Sequence, residues 1–166
     1  MHIDNPQVIA DWVRAGEAAD ADTMIKLLAE DVELISPLTE AFRFHGPRQV
    51  GRVCRAAVEI IEGIRFHTHV GDGSTHALFY RARCAGQFVE EAQLLRLDDA
   101  GAIREITLFG RPLPALTVVM KRIGPRLMEL DGRPALGRAL GAGIVPVHAL
   151  LALVEKRVVP LAAPRG

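Results

Sequence analysis

The chain has 166 residues, of which 49% are hydrophobic and 24% charged. That suits one domain with its own core and excludes intrinsic disorder. Twenty basic residues balance twenty acidic ones, so no nucleic-acid partner is expected of the chain as a whole.

In chain order, Asn5-Pro6 reads as an N-cap and first helical position. Val8, Ile9, Trp12 and Val13 follow at helical spacing as far as Gly16. Asp20-Ala21-Asp22-Thr23 restarts a helix that ends at Glu30-Asp31. Val32 to Ser36 reads as a strand stopped by Pro37, and Ala41 to Phe44 as a second extended piece. Gly46-Pro47 opens a third helix with Val50, Val53, Cys54, Ala57 and Ile61 on its apolar face. The period then becomes two. Ile64-Phe66-Thr68-Val70 alternates with Arg65-His67-His69, which predicts a strand with two unlike faces. Strands follow at Thr75–Ala85, Phe88–Leu97 and Ile103–Phe109, separated by turn-rich tetrads and Gly86-Gln87. Helices followed by a meander predict an α+β fold.

Charge is unevenly placed. Residues 1–110 carry 11 basic and 17 acidic side chains, and residues 111–166 carry 9 and 3. The change falls at Arg111-Pro112-Leu113-Pro114, so 1–112 is read as the core domain and 113–166 as a helical basic and apolar extension packed on it or on a partner subunit. Within the extension, Ala115 to Ile123 has helical spacing and Gly124-Pro125 should break it. Ala139 to Val154 carries no charge, but its sixteen residues are short for a membrane span of about 20. A membrane-surface or anion-seeking tail would suit the charge, yet the basic residues form no dense cluster, so membrane contact by the tail is not expected.

Cys54 and Cys84 stand too far apart for a paired metal motif and read as reduced buried thiols, which points to a cytoplasmic protein. Met1 to Pro6 lacks the basic and apolar regions of a signal peptide.

The order of elements resembles the nuclear transport factor 2-like superfamily, and within it the SnoaL-like and ketosteroid-isomerase-like proteins. The residues that carry the likeness are Trp12-Val13 with Asp20-Ala21-Asp22, Leu27 to Leu34, Ser36-Pro37, Phe44-His45-Gly46 and Ile106 to Gly110. The resemblance implies a cone: a curved antiparallel sheet wrapped around the long helix, an apolar cavity at the open end, and a homodimer. It also implies where chemistry would sit. The family's isomerases place a tyrosine donor on the first helix, a carboxylate base before the proline after the first strand, and a protonated acid on the third meander strand. The matching residues here are Trp12, Ser36 and Gln93. An indole and an amide are weaker donors, and a serine hydroxyl is no carboxylate base at neutral pH. Steroid isomerase chemistry is therefore not expected, and fold alone does not supply another activity.

Alternation supplies further candidates. With Gln93 inside, Glu91 is inside too; the competing reading puts Glu91 at the rim beside an arginine. A carboxylate in an apolar cone would be pushed towards neutrality and suit proton transfer. On Thr75–Ala85 the apolar face carries His76 and Tyr80. His76 is a proton-transfer candidate or an ordinary strand-end histidine, and Tyr80 a ligand donor or a core tyrosine. His67 and His69 would share an outer face, with no third ligand supplied, so no metal site is expected. No nucleophile elbow or dinucleotide loop is present, and no cofactor is expected. Arg111 could bind an anion at the cone mouth or cap a helix.

The sequence thus points to a small apolar ligand. Trp12, Ser36, Tyr80 and Gln93 would bind it, and Glu91 or His76 would move a proton in a metal-independent isomerisation or ring closure. A non-catalytic interaction or ligand-sensing module that dimerises or docks through its tail is the alternative.

Overall fold

A computed structural model describes residues 7–164; the expected cap at Asn5-Pro6 lies outside them. Two short helices, α1 (Gln7–Glu17) and α2 (Ala21–Lys26), lead into strands β1 (Leu28–Ile35) and β2 (Phe44–His45). The long helix α3 (Gly46–Ile60) follows, then β3 (Ile61–Asp72), β4 (Thr75–Cys84), β5 (Gln87–Leu97) and β6 (Ile103–Arg111). Helices α4 (Leu113–Leu130) and α5 (Pro134–Arg157) complete the chain, with a short helical turn at Val159–Ala162. The strands form one curved sheet in the order β2-β1-β6-β5-β4-β3, antiparallel except where β1 runs parallel to β6. The fold is α+β, as the element order predicts.

Local chemistry sets the element ends. Asp20 caps α2 by accepting the Thr23 backbone N–H at 3.0 Å and the Thr23 hydroxyl at 2.6 Å. The Thr23 side chain, then its backbone, holds the Asp20 carboxyl below its usual range. The helix ends sooner than its sequence pattern suggests, because Leu28 starts β1 and pairs with Ile103. Pairing and burial of Leu28, Val32 and Leu34 outweigh the helical preference of Leu27 to Glu30.

The strict alternation expected of β3 is interrupted. Phe66 lies opposite Tyr80 but Thr68 lies opposite Phe79, so His67 is an extra residue in the ladder. The bulge reverses the facing of everything after it. Phe66 packs inwards edge-on to Tyr80 at 5.3 Å, whereas Val70 is exposed. His67 and His69 consequently do not share a face: His67 lies near Glu90 on the outside, and His69 turns to meet His76.

One core joins α1, α2 and α3 to the inner face of the sheet through Trp12, Val50, Cys54, Leu78 and Leu95. A second joins Tyr80, Ala82 and Val89 to Val118 and Val119 of α4. The expected break at Gly124-Pro125 does not occur; α4 runs through Pro125. The reason is the packing of α5 at that point. A Cβ on Gly137 would come within 2.9 Å of the Pro125 carbonyl oxygen. Only glycine permits this approach, and the packing it allows carries the helix past its proline. Helix α5 likewise continues through Pro146. Pro134–Ala162 is the one helical stretch among the described residues that is long and apolar enough to cross a membrane, and little of it is buried. The sixteen-residue uncharged run understated that length.

Candidate active site

Inward-facing residues of β4, β5 and β6 meet α3 and α4 around a cavity of about 410 Å³. This lies in the size range of ligand sites, roughly 300–1,000 Å³. Five of the six residues singled out from the sequence line it: Trp12, Ser36, Tyr80, Glu91 and Gln93. The rest of the wall is almost wholly apolar, and among the described residues no lysine, arginine or histidine lines it.

The polar groups converge because of strand register. Tyr80 and Glu91 are direct cross-strand neighbours on β4 and β5, and Gln93 lies two residues along the same face. The Trp12 indole N–H donates to Gln93 Oε1 at 2.9 Å. That bond fixes the amide, so Gln93 Nε2 donates towards Glu91 Oε1 at 3.4 Å. Burial pushes the Glu91 carboxyl up to about 7, against donation from Tyr80 and then Gln93. Burial, then Glu91, holds the Tyr80 phenol well above its ordinary range. At neutral pH Tyr80 is therefore a donor, and Glu91 is divided between acid and base forms.

Trp12 and Gln93 were expected to orient a ligand. The geometry pairs them instead with each other, which commits the single donor of the indole and one lone pair of the Gln93 carbonyl. Ser36 follows β1, and its Oγ accepts the Leu38 N–H at 3.2 Å. Its own proton remains available to a carbonyl in the cavity.

His76 is placed elsewhere. It is fully buried at the β3–β4 hairpin and does not line the cavity. Its Nε2 lies 3.0 Å from the Gly73 carbonyl, and its Nδ1 lies 3.0 Å from His69 Nε2. A carbonyl only accepts, so His76 donates from Nε2 to Gly73, and its Nδ1 accepts the hydrogen bond from His69 Nε2–H. Burial, then His76, holds the His69 imidazole below its usual range. A Cβ on Gly71 would stand 2.3 Å from His76 Nδ1, so the hairpin closes around this ring only with glycine there. The alternation of β4 placed His76 inward, but it could not tell the cavity end of the strand from the hairpin end.

Glu91 is not paired at the rim. Its neighbour Glu90, on the outer face, takes the arginines, Arg111 and Arg81. They hold its carboxyl below the usual range, Arg111 foremost. Arg111 thus neither caps a helix nor stands ready for an anion.

Three lining features escaped the sequence reading. Thr39, whose Oγ1 accepts the Ala41 N–H at 3.1 Å, lies in the Ser36–Arg43 loop; the Ser-Pro-Leu-Thr run was its only signal. Cys54 lines the wall, but burial pushes its thiol up to about 12, so it is not a nucleophile at neutral pH. The wall also includes Leu116, Met120 and Ile123 of α4 and Leu140 and Ile144 of α5. Their helical spacing was visible, their docking over the cavity was not.

Comparison with known proteins gives the family and the fold. The family profile described as the SnoaL-like domain matches residues 9–106. A steroid delta-isomerase from Pseudomonas aeruginosa superposes with a TM-score of 0.72 at 20% identity, covering 80% of this chain and 98% of that one. An uncharacterized protein with a cystatin-like fold from Silicibacter pomeroyi gives 0.74 at 20% identity, covering 84% and 99%. A protein provisionally named polyketide cyclase from Sinorhizobium meliloti gives 0.54 at 19% identity, covering 66% and 99%. At these identities the likeness is one of fold. No curated protein matches the sequence.

Proposed function

The chain belongs to the SnoaL-like domain family, and on that footing we propose that it is a proton-transfer enzyme of the isomerase or cyclase kind. Its substrate is a neutral, largely apolar carbonyl compound. The observation that supports this most is the position of Glu91: the carboxyl lies inside a ligand-sized apolar cavity and is pushed up to about 7 by burial. A group with its pKa near the working pH transfers protons in both directions most efficiently.

In this reading the Glu91 carboxylate takes a proton from carbon next to the substrate carbonyl. The electron pair moves onto the carbonyl oxygen as an enolate, which Ser36 meets with its hydroxyl. Protonated Glu91 then returns the proton to another carbon, giving an isomer, or the enolate carbon attacks a second carbonyl and closes a ring. Tyr80 and Gln93 donate to the Glu91 carboxylate and keep it aimed into the cavity. Trp12 acts through Gln93.

The substrate class follows from the lining. A carboxylate or phosphate on the ligand would face Glu91 with no cationic side chain among the described wall residues to offset it. The donors for the enolate oxygen are weak, so the matched substrates have C–H bonds already acidified, as between two carbonyls. Polyketide-like chains have that character.

A screen of apolar ketones and β-keto esters, with deuterium exchange at the α-carbon followed by NMR in D₂O, tests the proposal. The wild-type chain should accelerate exchange over buffer, and Glu91→Gln should lose about 10²–10⁴-fold. Equal rates for the two proteins would contradict it. A non-catalytic binding module would instead bind the same compounds, with shifted melting temperature and no acceleration.

A further inference from the structure

We propose that α5 is a docking face for an anionic membrane surface. A helix lying on a protein core ordinarily turns a polar face to water. Helix α5 does the opposite. Gly137, Gly141, Ile144 and His148 face α4. His148, the one titratable residue between Ala139 and Val154, is tied to Thr117 Oγ1 at 2.8 Å on that inner side. The outer side is left to Val147, Leu150 and Leu153, which are 51%, 61% and 56% exposed. Exposed apolar side chains continue past the helix end with Val158, Val159 and Leu161. A contiguous apolar face of this kind marks a surface that something covers.

Charge decides between occupants. Arg133 and Arg138 lie at one end of the apolar stretch and Lys156 and Arg157 at the other, with Glu155 the only acid from Arg133 to Arg157. Arg126 on α4 is held by Glu59 and Arg52 on α3 by Asp131. Among the described residues no ion pair holds these four cations at the ends of the apolar stretch. Basic ends around an apolar middle match anionic headgroups above acyl chains. A second copy seated symmetrically on this face would bring two sets of like charges together. The helix lies on the surface and does not cross it, because its inner side is committed to α4.

The sequence alone argued against membrane contact, since its basic residues are sparse. The fold adds what composition could not show: those residues bracket an apolar face that none of the described residues covers. The docking stands whether or not the cavity is catalytic.

Flotation of the full chain with vesicles of phosphatidylcholine and phosphatidylglycerol in equal parts tests it, beside vesicles of phosphatidylcholine alone. The chain should float with the anionic vesicles and partition roughly tenfold or more weakly onto the neutral ones. Val147→Glu/Leu150→Glu should stay in the soluble fraction with an unchanged melting temperature. If that pair disturbs folding, Arg133→Gln/Arg138→Gln/Lys156→Gln/Arg157→Gln should reproduce the loss while keeping the apolar face. A wild-type chain that remains soluble beside anionic vesicles overturns the proposal. So does a dimer, seen by light scattering, that Val147→Glu/Leu150→Glu splits, because a second copy then covers the face.

Discussion

Glu90 and Glu91 are neighbours in the chain with opposite surroundings. Glu90 looks outwards to two arginines and is held as a carboxylate. Glu91 looks inwards, where desolvation favours the neutral acid and two donors partly restore the ion. The opposition follows from strand pleat alone. Tyr80 is the first of these donors and Gln93 the second, and Trp12 fixes which end of the Gln93 amide meets Glu91. Gln93→Met keeps the volume but removes the donor and leaves the Trp12 indole unpaired. The Glu91 pKa should then rise above about 7, and the rate of any Glu91-dependent reaction should rise with pH later than in the wild type. Chemical denaturation should show a loss of about 1–3 kcal/mol from the orphaned indole. An unmoved pH profile would assign Gln93 a packing role only.

At the scale of elements, the β4–β5 hairpin fixes the Tyr80–Glu91 pairing on which the site rests. Its two-residue turn, Ala85-Gly86, has both residues at positive φ, 49° and 80°. That turn matches strand twist but suits asparagine better than alanine at its first position. Ala85→Asn should therefore raise stability by about 0.5–1 kcal/mol, read from thermal melts, with the site unchanged. The four strands of the meander, α3, and the inward set of β4 and β5 were legible because period-two patterning and turn residues act locally. The bulge at His67 was not legible. It adds to a first register shift between Glu62 and Arg65, and no local signal marks where the facing reverses. The uninterrupted α4 was not legible either, because a proline that normally ends a helix is overridden by close packing of a distant glycine, Gly137. The choice between the two readings of His76, proton-transfer group or strand-end histidine, was not legible for a related reason: alternation gives a face, not a position along it.

Taken as a whole, the molecule is an acidic core with a basic helical hairpin laid over its cavity. The hairpin supplies wall residues to the cavity and leaves an apolar face outside. Ligand site and docking surface thus meet in α5, whose Ile144 lines the first while Val147 and Leu150 lie on the second. The functional account rests on one buried group whose ionisation is linked to folding with a definite sign. The folded-state pKa of Glu91 lies above the unfolded value of 4.5. The neutral acid therefore contributes stability in full below pH 4.5, and that contribution is lost as pH rises through about 7. A site that functions near neutrality accepts this cost, roughly 3 kcal/mol, in exchange for a base that can give its proton back.

The most direct measurement is an NMR titration of the full chain labelled with ¹³C at glutamate carboxyls, with Glu91→Gln used to assign the resonance. The account predicts one carboxyl, absent from the variant, with a midpoint of about 7. A Glu91 midpoint at the ordinary carboxylate value of about 4.5 would contradict it, since such a group is an ion at working pH with no proton to return.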